Sequence, residues 1–331
     1  MKIAIIYSVP TKRAVATQYL AADEDTKVSA EKVSAAMLSK GHDPRLIPIT
    51  EDSIEKISKI SADCMVNLIE WSGLDLPLNF QAVKAMVSTG IPFTGGDVTN
   101  LHITSDKVSM KTALDAHHLP TSKWQHFTTG AEAIRDDFSY PVIVKLALEH
   151  CSVGLSNDAV VSDKESLARL VKNRAKEFGQ PIVAEEFITG RELQVTVLDR
   201  PQPQGLSVLP PAEIFFSTAQ GFLTYGGRWD EKHPDYNTSS IGVAKLTPPL
   251  AKKIDTIART TFKLMKFCDY ARLDIRVRDR DMFILEANSN PGLDDDPEYG
   301  MTVSYKAIGM TFTDFIWEII ESCLRRSVTM F

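Results

Sequence analysis

The sequence of 331 residues has few cysteines and no excess of positive charge. Its four cysteines lie far apart without a C-x-x-C pair, which argues against a disulfide framework or a cysteine zinc site and fits a reducing compartment. The net charge of -6 gives no general electrostatic reason to bind nucleic acid or an anionic membrane. No apolar run approaches the roughly 20 residues that a membrane-spanning helix needs. We therefore expect a cytoplasmic protein that binds neither nucleic acid nor membrane.

The first hundred or so residues alternate between predicted strands and helices. The opening MKIAIIYSVP has one lysine and no small-residue cleavage site, so it predicts a strand at residues 2–7 rather than a signal peptide. Further strands are predicted at 45–49 and 64–69, with helices at 27–39 and 79–89. This alternation predicts a parallel, doubly wound sheet, whose ligands lie beyond the carboxyl ends of the strands. The first loop lacks G-x-G-x-x-G, which disfavours a nicotinamide nucleotide.

The rest of the chain must contain at least one more domain. A chain of 331 residues is too long for one ordinary core, so we expect two or three domains. A predicted apolar strand at 141–145 ends in Lys145, whose ammonium must reach either solvent or an anion. The polar, glycine-rich residues 217–240 predict a mobile loop. Other elements are predicted as strands at 182–188 and 193–198 and as helices at 164–178, 249–266 and 312–325.

Residues 271–296, ARLDIRVRDRDMFILEANSNPGLDDD, predict two strands joined by a tight polar turn. The first strand carries Arg272 and Asp274, and the second carries Glu286 and Asn288. Because side chains alternate across a strand, each of these pairs points to one face. If the strands pair as a hairpin, a cation, two carboxylates and an amide converge on one patch. Such oxygens, completed by substrate phosphates, are the usual ligands of Mg²⁺.

The alternative for this stretch is a solvated, charged hairpin at the edge of a sheet. The apolar residues that alternate with the charged ones argue against it, because they place the carboxylates in a core-like sheet. These apolar residues are Ile275, Val277, Phe283 and Leu285. The Asn-Pro-Gly at 290–292 then ends the second strand and brings bare backbone N–H groups close to the patch.

Five motifs, in this order along the chain, resemble the ATP-grasp superfamily and within it the D-alanine–D-alanine ligases. The resemblance covers nearly the whole chain, and the ordered set is far more specific than any one motif. The motifs are PFTGGDVTN with SDK at 92–107, YPVIVK at 140–145, SVG at 152–154, EEFITGRE at 185–192, and RLDIRV with FILEANSNPG at 272–292.

The resemblance implies an ATP-grasp fold of mixed α/β and α+β class. It implies a doubly wound N-terminal (pre-ATP-grasp) domain at residues 1–104, a central subdomain at 105–184 and a C-terminal ATP- and magnesium-binding subdomain at 185–331. ATP would lie between the last two. The family further implies small-molecule amino acid, amine or carboxylate substrates, and a homodimer.

The family's nucleotide-binding roles fall on physically suitable groups. Two lysines would touch the phosphates, which suits point charges on flexible stems. A loop of three residues would cover the phosphates, a hinge of four residues would bind adenine with its backbone, and one acid would accept the ribose hydroxyls. The two lysines are Lys107 and Lys145, and the acid is Glu192. The loop that covers the phosphates consists of Ser152, Val153 and Gly154. The adenine hinge consists of Glu185, Glu186, Phe187 and Ile188.

The remaining family roles concern the metal and the reaction. Asp274, Glu286 and Asn288 match the ligands of Mg²⁺ (or Mn²⁺). Arg272 and the backbone of Gly292 match the groups that stabilise negative charge at the attacked carbonyl, with Ser152 in the phosphate loop as a further catalytic residue. Arg228 aligns approximately with a lysine of the family's lid, whose closure excludes water.

The reaction that the resemblance implies has two steps. A substrate carboxylate attacks the γ-phosphate of ATP to give an acyl phosphate and ADP, and an amine then attacks the acyl phosphate to give an amide and phosphate. The first step depends mostly on positioning and charge neutralisation, so it needs no Ser/His/Asp nucleophile.

The substrate pockets depart from the family pattern while the ATP residues are intact. Glu70 aligns with a family histidine, and the first loop at residues 8–15 has no acid to hold a substrate ammonium. The aspartates Asp294 and Asp295 replace a segment that binds a carboxylate, and they predict a cationic acceptor unless they form a solvated turn. His150 and Cys151 replace glycine and serine in the phosphate loop, with either a catalytic or an ordinary structural role.

The sequence thus predicts a carboxylate–amine ligase whose substrates are not simply two D-alanines. Two alternatives stay open. One is an authentic D-alanine–D-alanine ligase of peptidoglycan synthesis, and the other is an ATP-binding regulatory protein without catalysis. The sequence names neither the acid nor the amine.

Overall fold

The computed structural model describes residues 1–218 and 221–328. The N-terminal region contains a parallel sheet in the order β2-β1-β3, formed by β1 (Lys2–Ser8), β2 (Asp43–Ile49) and β3 (Cys64–Leu68). β1 and β3 are buried almost throughout, as expected of parallel strands with continuous apolar sequence. The parallel sheet that the sequence predicts is therefore confirmed. Its helices are α1 (Lys12–Val15), α2 (Leu20–Ser39), α3 (Leu76–Thr89) and α4 (Val98–Thr104).

The central region contains an antiparallel sheet in the order β4-β7-β5-β6. Helix α6 starts where the carboxylate of Asp163 accepts from the backbone N–H of Ser166, and it ends at Gly179 in the left-handed region. These caps explain why its bounds agree with the predicted helix. The elements are α5 (Lys107–Ala116), β4 (Trp124–Phe127), β5 (Val142–Leu146), β6 (Val160–Val161), α6 (Lys164–Phe178) and β7 (Ile182–Glu186).

The third region contains the largest sheet, in the order β11-β10-β8-β12-β13, with β9 paired to β8. Its strands are β8 (Arg191–Asp199), β9 (Leu206–Val208), β10 (Ala212–Phe216), β11 (Ser239–Val243), β12 (Tyr270–Arg278) and β13 (Asp281–Asn288). Its helices are α7 (Tyr225–Trp229), α8 (Pro248–Leu264), α9 (Gly300–Lys306) and α10 (Phe312–Val328). Across both described ranges, no helix is long and apolar enough to span a membrane.

Helix α10 returns to the N-terminal sheet. Its side chains Phe315 and Ile319 share one apolar core with Ile3 of β1 and Val66 of β3. The last helix therefore stabilises the first sheet, although the two lie at opposite ends of the sequence. The bounds of the three domains given above stay predictions.

The segment predicted as a loop at residues 217–240 contains regular structure. It includes α7, whose N-terminus is capped by the hydroxyl of Thr224, and the start of β11. Ala219 and Gln220 lie outside the described residues. The mobility of this segment stays a prediction.

Candidate active site

One cavity lies between the three sheets and gathers most of the predicted site residues. The predicted residues on its wall are Glu70, Lys107, Lys145, Ser152, Val153, Glu185, Glu186, Phe187, Ile188, Glu192, Arg228, Arg272, Asp274, Glu286, Asn288 and Gly292. Three predicted residues, all within the described ranges, lie off this wall: Gly154, Asp294 and Asp295. The cavity is the candidate active site.

The predicted hairpin forms from β12 and β13. Arg272 lies opposite Asn288 and Asp274 opposite Glu286, with a register shift directly after Asp274. Arg272 Nε donates to Asp274 Oδ1 at 2.9 Å, and Arg272 Nη2 donates to Asp274 Oδ2 at 3.1 Å. Burial raises the pKa of Asp274, and the guanidinium of Arg272 opposes this shift. The four side chains thus converge on one patch, as the period of two along each strand predicts.

This patch fits a hard divalent cation with incomplete protein coordination. Nowhere in residues 1–218 or 221–328 do three His, Cys, Asp or Glu side chains form a metal-binding group. The hairpin instead offers two carboxylates and one amide, and the amide of Asn288 is oriented by donating to Asp274 Oδ2 at 3.2 Å. Mg²⁺ is usually held in this way, by one or two carboxylates together with phosphate oxygens and water. The donor set therefore suits magnesium that arrives with a nucleotide.

Glu286 is held ionised by Lys107. Lys107 Nζ lies 2.7 Å from Glu286 Oε1 and also donates to the backbone carbonyl of Glu149. Burial opposes the charge, but Lys107 and the nearby His150 outweigh it and lower the pKa of Glu286 to about 2. Burial and Lys107 lower the pKa of His150 to about 4, so its ring is neutral near pH 7. One candidate metal carboxylate and one candidate phosphate lysine therefore share a corner of the cavity.

Glu185 in the predicted adenine hinge is held by two lysines. Its Oε1 lies 2.5 Å from Lys145 Nζ, and its Oε2 contacts Lys111 Nζ and accepts from Ser122 Oγ at 2.7 Å. Burial opposes the charge, yet the two ammonium groups keep the pKa of Glu185 well below its usual range. Lys111 was not among the predicted site residues, although its position one helical turn after Lys107 on α5 places both on one helix face.

Glu192, the predicted ribose acid, pairs with a residue that the sequence analysis also missed. Arg276 Nη2 lies 2.5 Å from Glu192 Oε2, and the two residues are register partners in β12 and β8. Burial raises the pKa of Glu192, whereas Arg276 opposes that shift. The signal was available, because Arg272, Asp274 and Arg276 follow each other with the period of two on one strand face.

The predicted phosphate loop has an unusual backbone. Cys151 and Ser152 have φ of 55° and 63°, in the left-handed region, and Gly154 follows at 74°. A Cβ on Gly154 would lie 2.6 Å from Leu146 Cδ1, so glycine is required there by close packing as well as by φ. Burial raises the pKa of the Cys151 thiol to about 12, which disfavours a catalytic thiolate.

The segment that follows Gly221 covers this loop. Trp229 Nε1 donates to the backbone carbonyl of Cys151 at 3.0 Å. The backbone N–H of Tyr225 donates to the backbone carbonyl of Leu155 at 2.9 Å. The guanidinium carbon of Arg228 lies 5.1 Å from the centre of the Trp229 ring, and Arg228 faces the cavity. The position of Arg228 is thus compatible with the predicted lid residue.

The opposite end of the cavity contains two partly buried carboxylates, Asp25 and Glu70. Burial, with Asp25 nearby, raises the pKa of Glu70 to about 7, against the opposing effects of Arg272 and Arg228. Burial also raises the pKa of Asp25, whose Oδ1 accepts from the hydroxyl of Tyr299 at 3.0 Å. The first loop, residues 8–15, contains no acid, but α2 supplies Asp25 to this end of the cavity. The acidic run at residues 23–25 was the available signal.

Asp294 and Asp295 require a correction. Lys32 of α2 contacts both aspartates. Its Nζ lies 2.5 Å from Asp294 Oδ1 and 2.9 Å from Asp295 Oδ1. Asp294 is buried, and its backbone carbonyl accepts from the hydroxyl of Thr302 at 2.7 Å. Because a lysine of the protein already neutralises this pair, the charge argument for a cationic acceptor at these residues fails. The sequence could not show this, because Lys32 lies more than 260 positions away from both aspartates.

Comparisons with known proteins identify the family. A family model described as D-ala D-ala ligase C-terminus matches residues 114–321. An uncharacterized protein y4sG from Sinorhizobium fredii is 29% identical over 90% of this chain and 88% of its own. A D-alanine–D-alanine ligase from Desulforudis audaxviator is 26% identical over 90% of this chain and 93% of its own.

Solved structures show the same fold at lower identity. The D-alanine–D-alanine ligase from Bacillus anthracis complexed with ATP superposes with a TM-score of 0.75 at 20% identity, covering 100% of both chains. VanG D-Ala:D-Ser ligase from Enterococcus faecalis gives 0.75 at 19% identity, covering 97% of this chain and 99% of its own. The ATP-grasp fold class is therefore confirmed. The chain belongs to the D-alanine–D-alanine ligase family of ADP-forming ATP-grasp ligases.

Proposed function

We propose that this protein is an ATP-dependent carboxylate–amine ligase whose substrates are not simply two D-alanines. The observation that carries the proposal is the acidic end of the cavity, where Glu70, which aligns with a family histidine, lies near Asp25 and near Arg272. Buried carboxylates with raised pKa values gain stability from a bound cation. An ammonium on one substrate supplies that charge, while Arg272 suits the carboxylate of the same molecule.

The nucleotide end supports ATP as the phosphoryl donor. Lys107 and Lys145 would contact the phosphates, the backbone of residues 185–188 would contact adenine, and Glu192 would contact the ribose. Asp274, Glu286 and Asn288 would hold Mg²⁺, which neutralises phosphate charge when it is bound. Mn²⁺ has the same ligand preferences and is an alternative.

The chain's own groups account for the two chemical steps. Arg272 and Gly292 both line the cavity, and the Arg272 side chain with the N–H of Gly292 would stabilise negative charge as the acyl phosphate forms and as the amine attacks it. Ser152 and the cover of the phosphate loop, including Arg228, exclude water from the acyl phosphate. The same arrangement would serve several acids and amines, so specificity depends on the acidic end.

The second candidate is D-alanine–D-alanine ligation itself. The names of the similar proteins favour it, since several are D-alanine–D-alanine ligases. VanG D-Ala:D-Ser ligase shares the fold, and its name gives D-serine rather than D-alanine as the second substrate. That neighbour therefore favours a changed acceptor. Membership of a ligase family argues against the non-catalytic alternative. A homodimer stays a prediction.

The deciding experiment measures ADP and phosphate release from Mg-ATP with D- and L-amino acids, singly and in pairs, and detects amide products by mass. Turnover with a pair other than D-alanine alone supports the proposal and identifies both substrates. Efficient formation of D-alanyl-D-alanine, with no better pair in the panel, would contradict it and leave the second candidate. An Arg272→Met variant serves as the inactive control, because it removes charge stabilisation at the reacting carboxyl.

A further inference from the structure

Arg276 is a buried arginine at the nucleotide end of the cavity, and none of the roles above uses it. Its side chain is only 4% exposed, yet it lies on the cavity wall. A buried guanidinium is costly unless its donors are satisfied, so its partners indicate what it does. Those partners are three groups from two separate parts of the chain, residues 190–192 and Gly221.

The first partner is the carboxylate of Glu192, 2.5 Å from Arg276 Nη2. The second is the carbonyl of Gly190, which accepts from Nη1 at 3.1 Å in the turn before β8. The third is the carbonyl of Gly221, which accepts from Nη2 at the start of the segment that covers the phosphate loop. We call residues 221–238 the cover segment. One planar guanidinium thus connects the turn at Gly190, the carboxylate of Glu192 and the cover segment.

Two aromatic rings lie close to the guanidinium. The guanidinium carbon of Arg276 lies 5.7 Å from the ring centre of Phe187 and 5.6 Å from that of Phe216. Phe222 of the cover segment meets Phe187 edge to face, with ring centres 5.9 Å apart. Phe187 belongs to the predicted adenine hinge, so the same cluster contacts the base site and the cover.

We propose that Arg276 is a positioning residue that holds Glu192 toward the ribose and anchors the cover segment at Gly221. Glu192 Oε2 is occupied by Arg276, which leaves Oε1 as the acceptor for a ribose hydroxyl. The inference rests on the proposed ribose role of Glu192, but not on the identity of the amino acid substrates. Binding of Mg-ATP alone can therefore test it.

The test is an Arg276→Met variant, with affinities measured by calorimetry for Mg-ATP and for Mg-2′,3′-dideoxy-ATP. Loss of a charge-assisted hydrogen bond predicts a fall in ATP affinity of about tenfold or more. The fall for the dideoxy analogue should be much smaller, because that analogue cannot donate to Glu192. The matched control is Arg278→Met on the same strand. Arg278 is exposed, and its guanidinium carbon lies 5.3 Å from the ring centre of Phe283. This variant should bind both nucleotides with the affinity of the parent protein.

A double-variant cycle checks that Arg276 acts through Glu192. If it does, Glu192→Gln combined with Arg276→Met should bind ATP about as weakly as Glu192→Gln alone, because the two changes remove one interaction. Additive losses, or equal losses for ATP and its dideoxy analogue, would overturn the proposal. If Arg276→Met fails to fold, Arg276→Lys carries the test, since one ammonium cannot make the fork to all three partners.

The anchoring of the cover segment has a separate readout. Trypsin cleaves after arginine and lysine, and the cover segment contains Arg228 and Lys232. Arg276→Met should speed cleavage in this segment several-fold in the absence of nucleotide, whereas Arg278→Met should leave it unchanged. Unchanged cleavage in a folded Arg276→Met protein would remove the anchoring role.

Discussion

Two carboxylates at each end of the cavity have pKa values shifted in opposite directions. At the nucleotide end, Glu185 and Glu286 each have a lysine within 2.7 Å, and each has a pKa below its usual range. At the acidic end, which is the proposed amino-acid end of the cavity, burial raises the pKa values of Asp25 and Glu70. Within the described part of the chain, neither of these two has an ion-pair partner within 4.0 Å. The first two carboxylates are paired with lysines in direct contact, whereas the cations that act on Asp25 and Glu70 lie beyond ion-pair distance.

This difference indicates how the family could keep its ATP chemistry while its substrates change. Phosphates bring negative charge, so lysines with carboxylate partners can exchange one anion for another at little cost. The amino-acid end instead gains from a substrate that brings positive charge. The strongest tests of this comparison change one carboxylate or its partner at each end.

The largest expected effect follows from Glu286→Gln at the nucleotide end. Loss of this charge removes a candidate metal ligand and leaves Lys107 without its partner, so we expect kcat to fall about 100-fold or more. ADP release at increasing Mg²⁺ concentration measures the change, and excess metal should restore part of it. Asp281→Asn, an exposed carboxylate at the start of β13, is the control. Full activity of Glu286→Gln would remove it from the proposed metal site.

The next largest effect concerns folding rather than turnover. Lys111→Met removes one of the two buried ammonium groups beside Glu185 while Lys145 remains, and losing a buried charge-assisted contact destabilises a protein by about 2 kcal/mol or more. Urea unfolding at pH 7 provides the measurement. Lys164→Met breaks an exposed pair with Asp136, 2.6 Å apart, and should cost less than about 0.5 kcal/mol. Equal effects of the two variants would show that burial does not determine the strength of these pairs.

The nucleotide end was the more predictable from sequence, for a physical reason. Arg272, Asp274, Glu286 and Asn288 lie on two adjacent strands, where the period of two determines which face they share. Local rules therefore predicted the hairpin and its patch. Lys111 and Arg276 follow the same local spacing, and they were missed only because the family resemblance gave them no role.

The amino-acid end depends on contacts between distant parts of the sequence. Asp25 reaches the cavity from α2 and is hydrogen-bonded by Tyr299, 274 residues later. Lys32 of the same helix neutralises Asp294, which the sequence alone presented as an unpaired charge. Local periodicity contains no information on such pairs, because they depend on how α2 packs against the loop that follows β13. The charge argument for Asp294 and Asp295 therefore failed where the hairpin prediction succeeded, and their contact with the acceptor stays a prediction.

The third prediction tests the burial of the Glu70 carboxylate through Glu70→Gln. The pKa of Glu70 is raised to about 7 from the ordinary 4.5, so its contribution to stability is fully present below pH 4.5 and is lost as the pH rises through 7. At pH 8 the parent therefore has a buried, poorly solvated charge, and Glu70→Gln should be more stable by about 2 kcal/mol. Urea unfolding at pH 4.5 and pH 8 measures this, and the advantage should vanish at the lower pH.

A control separates this effect from general surface charge. Glu55→Gln changes an exposed acid in a short 3₁₀ turn and should show no advantage at either pH. If Glu70→Gln were as stable as the parent at pH 8, the carboxylate would not be desolvated as the structure indicates. The same variant should raise the KM of an ammonium-bearing substrate, since it removes the charge that attracts it.

The smallest expected effect belongs to Asp295→Asn. Its side chain is 53% exposed and shares Lys32 with the buried Asp294, so the variant should lose less than about 0.5 kcal/mol of stability. The KM of the amine substrate should stay within about twofold of the parent value, because Asp295 does not line the cavity. Lys32→Met is the matched variant, and it should cost about 1 kcal/mol or more because it leaves Asp294 buried without its cation. A tenfold rise in KM with Asp295→Asn alone would place the acceptor at the aspartates after all, and the acidic end of the cavity would then extend beyond Asp25 and Glu70.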